Sequence, residues 1–132
     1  MKPEIINSHW PNALRWFLVQ NTTRFYPWHF LSHSTEFEFA ANAFANEDTK
    51  NRTVFAFASR QDNDDFAGLE IVDSVITDKV IVFHPAFGSG KSERSWDIVE
   101  TEFNDVLEFL SNHIVQDMKD WALIEDASEL LE

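Results

Sequence analysis

Apolar residues recur along this chain with two different periods. Trp10, Ala13, Leu14, Phe17 and Leu18 follow one another at steps of three and four, the spacing of one helical face. Asn7 or Ser8 is placed to cap its start. Pro27 confines Tyr26 to extended backbone, so the helix does not run through it. A second pattern of the same period follows Ser34 and Thr35, either of which serves as N-cap. It sets Phe37, Ala40, Ala41 and Phe44 on one side, with Phe39 and Ala43 beside them.

From Thr53 the period changes. "VFAFASR" is short, continuously apolar and rich in Phe, which fits a strand covered on both faces. "QDNDD" supplies turn chemistry, and "FAGLEIV" resumes with Phe66, Leu69 and Ile71 as apolar positions. A polar turn near Thr77 and Asp78 precedes "KVIVFH". Strands joined by short turns predict an antiparallel meander. The last periodic segment sets Phe103, Val106, Leu107, Leu110, Ile114, Met118 and Trp121 at steps of three and four over about five turns, an amphipathic helix that must lie on something. "ALIEDASELLE" continues it as a short helix or frays.

The order predicts an α+β fold: an antiparallel β-meander sheet packed by N-terminal helices and a long C-terminal amphipathic helix. Its expected core is Phe55, Phe57, Leu69, Ile71, Ile81, Phe83, Leu107, Leu110 and Ile114. With 132 residues, 44% hydrophobic and 13 of them Phe, the chain suits a single domain over residues 1–132 that needs no disulfide or structural metal.

Cysteine is absent, which removes thiolate chemistry and cysteine-type zinc sites and fits a reducing compartment. The start carries no basic stretch followed by an apolar run, and no window nears about 18 uninterrupted apolar residues. A cytoplasmic location is expected. The Asn21 and Asn51 glycosylation patterns then have no bearing. The net charge of −13 and pI of about 4.6 repel phosphate backbones and anionic lipid, so neither nucleic acid nor membrane is an expected partner. That charge is uneven. Residues 93–132 hold 12 acidic side chains against Arg94 and Lys119, a net of −10, whereas residues 1–92 carry 11 acidic and 8 basic, a net of −3. Such a segment is either a solvated helix face or a surface that steers a basic protein toward it.

Enzymatic motifs fail one by one. "GSGKS" ends like a phosphate-binding loop, but the position where its first glycine belongs is Pro85, which offers no amide donor. The 40 residues that follow read as helix rather than as the parallel strands such a site needs. Asp62 and Asp64 start a calcium-loop spacing that Phe66, Ala67 and Asp73 then break, leaving a hairpin connection. His29 and His33 stand four apart without a Glu at position 30 or a nearby third ligand, and packing or rim roles are expected for them and for His84. No Gly-x-Ser-x-Gly elbow exists, and the "DMK" at Asp117 lies in the helical pattern rather than at a strand end. No catalytic residue, metal ligand or cofactor is expected.

"VFAFASRQDNDDFAGLEI", then "DKVIVFHPAF", then the aromatic amphipathic segment from Phe103 to Trp121, resembles the SUKH superfamily, bacterial toxin-immunity proteins related to fungal cell-wall-assembly regulators. Phe57, Ala58, Ser59 and Arg60 match that family's strand-ending Phe-Ala-x-x, Asp62 to Asp65 its polar hairpin, and Val80 to Phe83 its next strand. "PWHFL" at residues 27–31 is similar to a segment preceding the second helix, so the resemblance covers residues 27–121. The hairpin departs from the pattern in having no glycine before Gly68, and the N-terminal helix lacks a Leu-Pro-x-x-Tyr stretch.

The resemblance implies a non-enzymatic protein that occupies the active surface of a toxin, and the acidic balance agrees with a basic partner such as a nuclease toxin domain. Candidate contact residues are the carboxylates Asp62, Asp64, Asp65 and Glu70 with those around the last helix. Trp28 and Trp96 join them as aromatic anchors outside the strong periodic patterns. Rival expectations are a small-ligand or metal enzyme using His29, His33 and His84 in a pocket between helices and sheet, and a regulatory scaffold for another cellular protein. Both monomer and homodimer stay open, because the strand at the sheet edge is not set by the sequence.

Overall fold

The computed structural model describes residues 6–20, 24–30, 34–60, 65–85 and 97–130. Helix α1 (Asn12–Leu18) is followed by strands β1 (Arg24–Phe25) and β2 (Trp28–Phe30), helix α2 (Ser34–Glu47), then β3 (Thr53–Arg60), β4 (Phe66–Val72), β5 (Val75–Phe83) and β6 (Val99–Phe103). Helix α3 runs without a break through Val106–Phe109, a π-turn Leu110–Ile114 and Val115–Ala122, and a 3-10 turn, Ala127–Leu130, ends the described chain. Each strand pairs antiparallel with its neighbour in sequence, so the six-stranded sheet is a meander in the order β1 to β6. The α+β architecture expected from the periodicity is the one observed. Among the described residues, no helix is long and apolar enough to cross a membrane.

Alternation along the strands sends side chains to two separate cores. One holds Leu14, Leu18, Trp28, Phe30, Phe57, Leu69, Val80, Val82, Phe109 and Ile114 and lies under α1 and α3. The other holds Phe37, Ala40, Phe44, Val54, Ala56, Phe66, Ile81 and Phe83 and lies under α2. A bulge in β3 adjusts the division: Ala56 pairs with Gly68 and Ala58 with Ala67, so Phe57 is the extra residue and both it and Ala58 join the α1/α3 side. Gly68 is required where it stands, because a Cβ there would meet the Val54 Cβ at 2.8 Å.

Several expected boundaries shift. The turn lies at Asp73 and Ser74, with φ of 51° and 66°, and not near Thr77 and Asp78. Two successive positive φ values make a two-residue hairpin turn whose twist matches the flanking strands. Strand β5 therefore runs through Thr77, whose hydroxyl donates to the Glu70 carbonyl at 2.7 Å. Phe103 belongs to β6, paired with Val80, and the helix starts three residues later. Asp105 is its N-cap, accepting from the Glu108 amide at 2.8 Å, while the Glu108 carboxylate reaches back to the Asn104 amide at 2.8 Å. With that start, Val106, Phe109 and Ile114 face the sheet, and Leu107, expected in the core, is 47% exposed. Of the other expected core residues, Phe57, Leu69, Ile81, Phe83 and Ile114 are buried, and Phe55, Ile71 and Leu110 are half-buried.

The end of α2 is tied to the sheet edge by charge. Asp48, fully buried, accepts from the Arg52 amide and guanidinium at 2.8 to 3.1 Å, and Arg52 Nη1 donates to Glu102 Oε2 at 2.9 Å. Lys79 Nζ holds the other Glu102 oxygen at 2.8 Å. The edges of the sheet are short, two residues in β1 and five in β6, and β6 carries Glu100 and Glu102, features that discourage edge-to-edge pairing.

Candidate functional site

Three adjacent strands end close together with polar side chains. Asp65 directly precedes β4, His84 directly follows β5, and Glu100 lies in β6. The Arg60 amide donates to the Asp65 carbonyl and the His84 amide to the Ile98 carbonyl, each at 2.9 Å, which fixes the backbone under two of them. Register places Thr101 opposite Val82 and Val99 opposite Phe83, so Glu100 is the bulged residue and its side chain is re-aimed. His84 Nδ1 lies 2.8 Å from Asp65 Oδ1, the Glu100 carboxyl hydrogen-bonds the Asp65 side chain, and one ligand atom from each of the three lies within 4.8 Å of the others.

Helix α3 adds a second polar group beside this one. Asp117 Oδ2 accepts from Trp28 Nε1 at 2.8 Å and pairs with Arg60 Nη1 at 3.4 Å. His113 Nε2 stands 3.7 Å from the same oxygen, buried and with no hydrogen-bond partner among the described residues. Burial pushes the His113 pKa down against the pull of Asp117 and Asp65, with Arg60 adding to the depression, so the ring is neutral at pH 7.

Glu100 keeps solvent access. Partial loss of hydration, then the hydrogen bond and charge of Asp65, nevertheless push its pKa up to about 7, with His84 and Arg60 pulling the other way. A carboxyl whose folded pKa is raised contributes stability that is full below its ordinary range near 4.5 and is lost as pH rises through about 7. Glu100→Gln is therefore expected to melt roughly 2–4 °C above the parent at pH 8 and level with it at pH 4.5. Thermal unfolding at the two pH values checks this, and an equal shift at both would contradict it.

The candidate contact residues fall in different places. Trp28 is a correction: it is fully buried, its ring edge-on to Phe109 at 5.2 Å and its indole N–H bound to Asp117, so it packs the core and offers a partner nothing. Asp65 is also buried, and its carboxylate faces His84 and Glu100 rather than solvent. Glu70 is half-buried in β4, at the residue skipped in the β4–β5 register. Asp62, Asp64 and Trp96 lie outside the described residues, as do His33 and the "GSGKS" segment. His29 pairs with Ser59 on the α2 side of the sheet, so His29 and His84 do not converge. Sequence reasoning missed Glu100, His113 and Asp117 as one neighbourhood. The available signal was a polar residue, Asp117, in the inward register of an amphipathic helix.

The outer side of α3 is of a different kind. Leu107, Val115 and Met118 follow one stripe and are 47%, 42% and 37% exposed, and Leu123 and Ile124 beyond the helix are exposed further. The same stretch of sequence carries Glu108, Asp120, Glu125, Asp126 and Glu129, and Lys119 is the only Lys or Arg in residues 97–130. No protein-family model, curated protein or solved structure matches this chain.

Proposed function

We propose that this chain is a non-enzymatic binding protein of the immunity type, which docks onto a basic macromolecular partner such as a toxin domain and covers its active surface. The carrying observation is the exposed stripe of Leu107, Val115 and Met118 on α3, with Leu123 and Ile124 exposed just beyond the helix, in a stretch of sequence rich in carboxylates. Apolar side chains grouped on a solvent face gain by being covered, and a methionine among them adapts to an irregular surface. These carboxylates add long-range attraction for a positively charged groove, the kind a nuclease uses to hold nucleic acid. The SUKH-like order of strands and helix supports the same reading.

The test is capture of a basic protein from the native cell by the purified chain, followed by kinetics with whatever is captured. Association is expected to slow markedly as ionic strength rises past the point where the Debye length is about 8 Å. Met118→Lys on the apolar stripe is expected to weaken binding at least tenfold without lowering the melting temperature. An association rate indifferent to salt together with full affinity in Met118→Lys would sink this assignment.

A further inference from the structure

We propose that Asp65, His84 and Glu100 form a binding site for one divalent cation of the zinc class, at the end of the β4, β5 and β6 strands. One imidazole nitrogen and two carboxylates are an established donor type for such an ion, and three protein donors leave room for water at the remaining positions. The donors come from neighbouring strands of a hydrogen-bonded sheet, a rigid support for a ligand set. Two of them, His84 and Glu100, are open to solvent, and Asp65 anchors the set from within. An ion therefore has a path in.

The distances need little adjustment. Tetrahedral donors held at about 2.1 Å from zinc stand about 3.4 Å apart. His84 Nδ1 and Asp65 Oδ1 are 2.8 Å apart, and all three donor atoms fall within 4.8 Å. Small rotations, the largest in the long Glu100 side chain, bring them to one centre.

Charge points the same way. Among the described residues, Asp65, Glu100 and Asp117 place three carboxylates in this neighbourhood against the guanidinium of Arg60, itself held by Asp117. When the three carboxyls are ionised, that balance is negative, which a divalent ion offsets. The imidazole donor selects against magnesium and calcium, which prefer all-oxygen shells. Sequence spacing had offered His84 only to His29 and His33. Its partners are instead the carboxylates at the ends of the two neighbouring strands.

Titration calorimetry of the chelator-treated full chain with zinc chloride at pH 7.5 tests the assignment. One ion per chain with a saturable isotherm is expected, together with a higher melting temperature. His84→Gln and Glu100→Gln, both at solvent-accessible positions, are each expected to weaken binding at least tenfold. His9→Gln, exposed ahead of α1, is expected to leave it unchanged. Magnesium in place of zinc is expected to give at least a hundredfold weaker binding. Absence of a saturable isotherm, wild-type affinity in both site variants, loss of binding in His9→Gln, or magnesium binding as tightly as zinc would each overturn the proposal.

Discussion

Phe57→Ala is expected to lower the unfolding free energy by about 3–5 kcal/mol, the range for deleting a buried aromatic ring. Phe57 is fully buried, and it sits at the β3 bulge, where its ring lies 5.5 Å from that of Phe30 and 6.0 Å from that of Phe109. It thus joins the β2 strand, the central strand and α3 in one aromatic group. The site resists collapse because the neighbouring backbone is held in the β3–β4 ladder, so the cavity term adds to the lost transfer energy. Denaturant unfolding of the variant gives the number from the midpoint and slope. A loss below about 1 kcal/mol would mean that Phe57 is not the centre of the α1/α3 core.

What the sequence made legible was periodicity, and what it hid was the point at which one period replaces another. The three/four spacing marked α1, α2 and α3, and the apolar runs marked β3, β4 and β5. Phe103 misled because it continues the helical spacing by coincidence while its backbone pairs with Val80. The capping residues Asp105 and Glu108 carried the true boundary. Strands β1 and β2, of two and three residues, are too short to show any period; β2 joins the sheet through the register of Trp28 with Arg60 and Phe30 with Ala58, and β1 pairs Phe25 with Trp28. The same reasoning explains Trp28. Standing outside a long pattern, it looked available to a partner, yet a short strand buried it.

The candidate site divides in the same manner. The acidic character of the last third was plain from composition, and so was an amphipathic last helix. Which side of that helix remains uncovered depends on where it begins, and a start at Val106 leaves Leu107, Val115 and Met118 outside. The meeting of Asp65, His84 and Glu100 depends on strand order and on a bulge at Glu100. Both are long-range properties, and residues as far apart in sequence as Asp65 and His84, 19 positions, carry no local signature of their contact.

Asp48→Ala is expected to destabilise the fold by about 3 kcal/mol or more, because removing one partner of a buried pair leaves the other charge without its compensation. Asp48 is fully buried and accepts three bonds from Arg52, one from its amide and two from its guanidinium. Without it Arg52 keeps Glu102 but loses the group that fixes the turn between α2 and β3. Burial acts to raise the Asp48 pKa, yet the hydrogen bonds and charge of Arg52 outweigh it and hold the carboxyl below its ordinary value. A depressed carboxylate contributes stability that is present above its ordinary range and is lost as pH falls through the folded pKa. The gap between wild type and Asp48→Ala should therefore be full at pH 7 and narrow in strongly acidic solution, measured by denaturant unfolding across that range. Asp48→Ala combined with Arg52→Met separates charge from packing: since no unpaired guanidinium remains, the double variant should lose less than the two single losses added together. Strict additivity of the two would show that the pair acts as two independent contacts and does not couple α2 to the β6 edge.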